Sequence, residues 1–307
     1  MHAPSGYVDL QVNGYAEVDF NADVLEVEKV AAACQRLREE GVAGILATII
    51  TADVEAMCRR LVNIVRVRDQ DRSVADMIWG IHIEGPFLNE QAGYIGAHPA
   101  ASAKPADVET IYQLLDAAGG LTRIVTLAPE RDAGARVTKL LAEQGVRVSA
   151  GHCNPTLDEL RSSIDAGLSM FTHLGNGCPS ELPRHDNIIQ RVLSVSDRLY
   201  IGFIADGVHV PLVALRNYLK CCGYERAFVV TDAISGAGLG SGEYRLGDRT
   251  VVGDENLATW AADRSHLVGS AVTARRSAEN LRGPLGLSER QIQRLMAENP
   301  RHILGPE

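Results

Sequence analysis

Carboxylates and imidazoles recur where apolar runs end. The run 77–84 closes in "GIHIEGPF", carrying His82 and Glu84, and 146–151 leads into "SAGHCN", with His152. The run 169–174 contains "FTHLGN", with His173. The run 199–205 leads into "IADGVH", with Asp206 and His209, and 226–231 into "VVTDAIS", with Asp232. One carboxylate with two imidazoles is a ligand set for a catalytic divalent metal that leaves a coordination place for water. Such a metal acidifies the water and polarises a carbonyl. A further carboxylate must then carry the proton from the water to the leaving group. Glu84, His152 and His173 fit the ligand roles, and Asp232 fits the proton carrier. His82 falls on the same side as Glu84 one layer deeper, where it would support a ligand. Taken singly, each histidine is an ordinary hydrogen-bonded residue and Asp232 an ordinary cap. It is their shared place at strand ends that singles them out.

Residues from several strands converge on one rim when parallel strands alternate with helices. Strand patterns fall at 7–12, 43–49, 77–84, 122–128, 146–151, 169–174, 199–205 and 226–231. Many are continuous apolar runs, as expected of parallel strands covered on both faces. Helical patterns lie between them, at 27–40, 53–70, 105–118, 134–144, 156–166, 187–195 and 211–222, and two more close the chain at 270–282 and 288–298. Thr156 and Glu159 have the spacing of a capping box. The alternation predicts an α/β fold, a (β/α)8 TIM barrel with its chemistry at the C-terminal strand ends. An open doubly wound sheet is the rival arrangement. No linker divides the chain, so residues 1–307 read as a single catalytic domain, with a Gly-rich excursion at 233–260 after the last strand. The glycines of 235–244 lack nucleotide-binding spacing and read as a mobile loop near the mouth.

Composition narrows the function further. A net charge of −9 argues against a nucleic-acid surface, which needs a basic excess. No apolar run is long enough for a membrane span, and "MHAPSGYVDL" has no signal-peptide pattern. The six cysteines form no CxxC pair or framework, as expected of reduced thiols in a cytoplasmic protein. Cys153 and Cys178 lie near the ligand candidates but read as small buried hydrophobes. Arg184, in "PSELPRHDN", is of the type that grips phosphate, although alone it is an ordinary loop charge. The first strand, "YVDLQVNGY", alternates apolar residues with Asp9, Gln11 and Asn13, which places the three on one face.

The motifs "DLQVNG", "HIEGPFLN", "GAH", "GHCNPT", "THLGN", "IADGVHV" and "VTDA" occur in an order and spacing that resembles the N-acetylglucosamine-6-phosphate deacetylases. These are amidohydrolase-superfamily barrels, and the resemblance runs from about residue 6 to residue 305. It implies hydrolysis of the acetamide of an N-acetylhexosamine 6-phosphate, giving acetate and the free amine. It also implies one divalent metal, zinc first and iron or another ion next, held by Glu84, His152 and His173. Asp232 matches the acid/base. His98 and His209 match substrate contacts, with His209 polarising the acetyl carbonyl. Asn176 and Gly177 match phosphate contacts. Arg184 matches a phosphate arginine that can reach from a neighbouring subunit, which implies a homodimer. Binuclear relatives in the superfamily carry His-x-His on the first strand. Gln11 and Asn13 stand there in this chain, so the second metal position is expected to be vacant. The small β-sandwich common in the family is expected to be absent, and "LGNGCP" and "RHDN" depart from the usual wording near the phosphate. Another amidase or cyclic-amide hydrolase on the same barrel, or a non-catalytic sugar-binding protein, are the competing readings.

Overall fold

The computed structural model describes residues 6–246, 249–253, 258–261 and 267–305. Its centre is an 8-stranded parallel sheet in consecutive order. The strands are β1 (Tyr7–Val12), β2 (Val42–Ile50), β3 (Ile78–Glu84), β4 (Thr122–Leu127), β5 (Arg147–Ala150), β6 (Leu168–Phe171), β7 (Tyr200–Ile204) and β8 (Ala227–Val230). The helices around them are α1 (Val27–Glu39), α2 (Val54–Gln70), α3 (Arg72–Met77), α4 (Val108–Ala117), α5 (Arg136–Glu143), α6 (Leu157–Asp165), α7 (Ile188–Leu193), α8 (Leu212–Cys222) and α9 (Ala274–Arg282). This is the (β/α)8 barrel the alternation predicts. In α1 the buried residues Val30, Ala33, Cys34 and Leu37 follow helical spacing and face the sheet. The capping box of α6 forms, with Glu159 accepting from the Thr156 N–H at 2.7 Å.

The ladder runs from β1 to β8, and a different set of bonds closes the ring. The Asp232 N–H donates to the Gln11 carbonyl at 3.0 Å, and the Asn13 N–H to the Ala233 carbonyl at 2.7 Å. The Asp9 carboxylate accepts from the Thr231 hydroxyl at 2.6 Å and from the Thr231 N–H at 3.2 Å. Inside the ring, Val8, Leu10, Leu46, Ile124, Met170, Ile204, Phe228 and Val230 form a closed apolar cluster. Ile303 joins it from the C-terminal helix Asn299–Leu304. A larger apolar layer lies between strands and helices. The rim above the interior cluster is thereby set on a packed, rigid base.

Three expectations change. First, β1 does not alternate strictly. Its register against β2 shifts between Asp9 and Val12, and the Val12 N–H bonds to the Thr48 hydroxyl instead of a ladder carbonyl. The bulge turns consecutive residues Leu10 and Gln11 toward the same internal cavity. Asp9, Gln11 and Asn13 therefore part company, each with its own partner.

Second, the Gly-rich stretch after β8 is not all loop: 235–241 contains no strand, but strand begins at Gly242. A 4-stranded antiparallel sheet follows, β9 (Gly242–Leu246), β10 (Arg249–Gly253), β11 (Ala258–Ala261) and β12 (Leu267–Ser270). Residues 247–248 and 254–257 of the predicted excursion lie outside the described residues. Leu246, Val251 and Val268 cluster with Ile234 and pack on Ile50 and Ala97. The glycines masked this short alternating pattern. Third, Ser270 ends a strand where a helix was expected to begin, so the closing helix starts only at Ala274, with Thr273 as its N-cap.

Candidate active site and metal centre

The C-terminal strand ends open into a cavity. Glu84, His98, His152, His173, Asn176, Gly177, His209, Asp232 and Asn13 line it, and Leu246, Leu267 and Gly269 of the antiparallel sheet form one wall. Glu84 ends β3. His152, His173 and Asp232 lie just beyond the ends of β5, β6 and β8. Each of these three has a left-handed backbone, with φ of 50°, 34° and 52°. Such a conformation is unfavourable for a residue with a side chain and persists where surrounding structure enforces it, often at functional sites. Motif spacing could not reveal it.

Glu84 is the hub. Its Oε1 lies 3.1 Å from His173 Nε2 and 3.3 Å from His152 Nε2, and its Oε2 lies 3.9 Å from His98 Nε2. Burial disfavours its charge, but the neighbouring imidazoles outweigh burial and hold the carboxyl well below the usual range. His173 shifts the opposite way: burial disfavours its proton, yet the hydrogen bond and charge of Glu84 raise it. Asp232 is pushed up to about 6 by burial and by the charge of Glu84.

Glu84, His98 and His152 present ligand atoms within 4.8 Å of one another, a cluster that could hold a metal ion. The donors suit a cation. His152 Nδ1 lies 2.8 Å from the Tyr94 carbonyl, which only accepts, so Nδ1 carries the hydrogen. In the neutral ring, Nε2 then turns a lone pair toward the Glu84 carboxylate. Two acceptors 3.3 Å apart need a proton or a metal ion between them. Gly96 and Gly177 press on this ring from positive-φ positions; a Cβ on either would come within 3.0 Å of it. Gly177 thus also packs against His152, beyond its expected phosphate contact.

Gln11 and Asn13 are both donors to the site's carboxylates. Gln11 Nε2 donates to Glu84 Oε1 at 3.1 Å, and Asn13 Nδ2 donates to Asp232 Oδ1 at 2.7 Å. His82 is spent elsewhere, its Nδ1–H on the Leu10 carbonyl at 3.1 Å and its Nε2 on the Thr126 hydroxyl at 2.7 Å. It belongs to the barrel interior, where it lines a small internal cavity together with His173 and Gln11. Cys153 is buried and its thiol is raised well above the ordinary value by burial, so it stays a thiol. Arg184 is exposed and does not line the cavity of its own chain. Among the described residues, no helix is long and apolar enough to cross a membrane.

The fold and the rim define a (β/α)8 barrel with a carboxylate–imidazole cluster at its C-terminal mouth that could hold a metal ion. No family model matches the chain. It is 31% identical over 312 residues to the Bos taurus N-acetylglucosamine-6-phosphate deacetylase, covering 98% of this chain and 74% of that protein. It is 29% identical to an Escherichia coli O157:H7 N-acetylgalactosamine-6-phosphate deacetylase, covering 97% of this chain and 77% of that one. Among solved structures, a mutant of the Mycobacterium smegmatis N-acetyl-D-glucosamine-6-phosphate deacetylase, in complex with N-acetyl-D-glucosamine-6-phosphate, superposes with a TM-score of 0.88 at 30% identity, covering 98% of this chain and 77% of that one. The chain belongs to the N-acetylglucosamine-6-phosphate deacetylase family.

Proposed function

We propose that this protein hydrolyses the acetamide of N-acetylglucosamine 6-phosphate to the amino sugar phosphate and acetate. The observation that carries the reading is the placement of Asp232, a buried carboxylate pushed up to about 6, in one cavity with the Glu84–imidazole group. A proton carrier needs a pKa near the working pH, and sugar binding alone would not call for one.

Glu84, His152 and His173 would hold the metal. His173 is preferred to His98 as third ligand, because its Nε2 is nearer Glu84 and its strained backbone matches those of His152 and Asp232. His98, on the loop after β3, is left to meet substrate. When bound, a divalent ion, most simply zinc, supplies an acidified water and a polarised carbonyl. Asp232 takes the proton from the attacking water and passes it to the departing amine. Asn13 fixes the angle of the Asp232 carboxylate through Oδ1. His209 hydrogen-bonds the carbonyl oxygen as it gains charge.

The N–H groups of Gln11 and Asn13 stand against both carboxylates where a second cation would have to bind. This supports a single metal. Asn176 and the Gly177 backbone suit the phosphate. Arg184, exposed on its own chain, would serve the cavity of a second copy in a homodimer. The barrel and its antiparallel sheet act as one catalytic unit, and the protein works in the cytoplasm.

Acetate release from metal-analysed protein, with N-acetylglucosamine and N-acetylgalactosamine each offered with and without 6-phosphate, tests the reading. Turnover of the 6-phosphates supports it. No turnover of either 6-phosphate, with N-acyl amino acids or cyclic amides turned over when offered in parallel, would replace it with another amidohydrolase activity.

A further inference from the structure

Asp206 opens the turn after β7 and takes no part in the chemistry above. Its side chain is nonetheless held by every available contact. Oδ1 accepts from the N–H groups of Val208 and His209, both at 2.9 Å. Oδ2 lies 2.5 Å from His209 Nδ1, and both side chains are only 1% exposed. From α9, Asn280 Nδ2 donates to the carbonyls of Ala205 and Asp206, at 2.8 and 3.3 Å, which pins the turn itself.

We propose that Asp206 is a positioning residue that keeps His209 doubly protonated, with Nδ1–H on the Asp206 carboxylate and Nε2–H turned to the cavity.

The argument runs through donors and acceptors. Asp206 stays a carboxylate: burial would raise it, but the hydrogen bond and charge of His209 lower it. A carboxylate only accepts, so Nδ1 must carry a hydrogen. A neutral ring would then present a bare Nε2 to a carbonyl oxygen, and two acceptors would meet. The contact works only with a second hydrogen, on Nε2. The reacting oxygen therefore meets a charge-assisted donor, stronger than a neutral one. His209 keeps its proton throughout, and all proton transfer stays with Asp232.

The hydrogen on Nδ1 follows from the Asp206 contact alone, whereas the hydrogen on Nε2 rests on the deacetylase reading, which supplies the oxygen that Nε2 meets. The test separates the two. Zinc-loaded protein labelled with 15N-histidine is examined without substrate at pH 7 by two-bond 1H–15N correlation, with His209→Gln assigning the signal. Both His209 nitrogens should be protonated. Asp206→Asn keeps the turn, because the amide oxygen still accepts from Val208 and His209. It also turns an NH2 donor toward Nδ1, so the ring should become neutral with hydrogen on Nε2 alone. Its kcat for acetate release should fall about ten- to a hundredfold with little change in KM, as expected when a transition-state contact is weakened. Asp206→Glu should recover part of the loss. An unprotonated Nε2 in the wild-type spectrum overturns the proposal even if the variant fails to fold. So does an unchanged kcat in Asp206→Asn. If the wild type releases no acetate, the functional reading falls while the spectrum still decides the state of the ring.

Discussion

Gln11 Nε2 lies 3.1 Å from Glu84 Oε1, so a neutral amide on the first strand donates to the carboxylate at the hub of the metal group. A histidine at this position would offer a lone pair where the amide offers hydrogens. In the proposed reading, that exchange sets the metal count. Wild-type protein is expected to carry one equivalent of zinc by elemental analysis. The double substitution Gln11→His with Asn13→His should raise the count toward two, since imidazole far outranks an amide as a ligand. Two equivalents in the wild type would remove the single-metal account.

Acid should silence the enzyme. Burial and the charge of Glu84 raise Asp232 to about 6, and a general base must be ionised to accept a proton. Activity is therefore full above that value and lost as pH falls through it. A bound cation favours the carboxylate and moves the limb lower, never higher. The pH profile of kcat/KM should show an acid limb at or below about pH 6. A limb above pH 7, or activity that rises on acidification, would count against Asp232 as the base.

Asp9 makes stability depend on pH in the opposite direction. Burial raises its carboxyl to about 7 despite hydrogen bonds from Thr231 and Gln11. The unfolded chain ionises near the ordinary 3.8. The stabilisation linked to its proton is therefore complete below about pH 4 and gone once pH passes about 7, a swing on the order of a few kcal/mol. Asp9→Asn should flatten that slope. Melting curves at pH 5 and 8 would show it as a smaller drop in Tm than wild type. An equal drop in both proteins would mean that Asp9 does not set the slope.

Arg184 should act on another chain's substrate. Arg184→Ala is expected to raise KM for the 6-phosphate by about tenfold or more, since hydrogen bonds to charged groups are worth roughly 1.5–3 kcal/mol. Turnover of the unphosphorylated sugar should not change. Mixing Arg184→Ala with Asp232→Asn protein should restore part of the activity if the arginine serves a partner's cavity. No recovery on mixing, with a monomer by light scattering, would assign the phosphate to residues of the same chain.

The fold was legible because its strands are apolar runs with helices between them, and the convergence of Glu84, His152, His173 and Asp232 on one cavity because they stand at strand ends. Other features depended on distant partners. The bulge that separates Asp9 from Gln11 arises from register against β2. The partner of Asp9, Thr231, lies 222 residues away. Asp206 could be seen in its motif, but its hold on His209 is a matter of side-chain angle. The sheet β9–β12 was hidden by glycines whose local signal is turn-like, although Leu246, Val251 and Val268 pack as strand residues.

The central claim is that Asp232 carries the proton for a metal-assisted deacetylation. The direct measurement is kcat for acetate release from N-acetylglucosamine 6-phosphate by wild type and Asp232→Asn, each with its zinc content determined. The substitution keeps size and hydrogen-bonding shape, and it removes the base. The account predicts equal zinc and a kcat lower by about three orders of magnitude, within the range of a positioned acid/base. Equal zinc with kcat within a few-fold of wild type would contradict it.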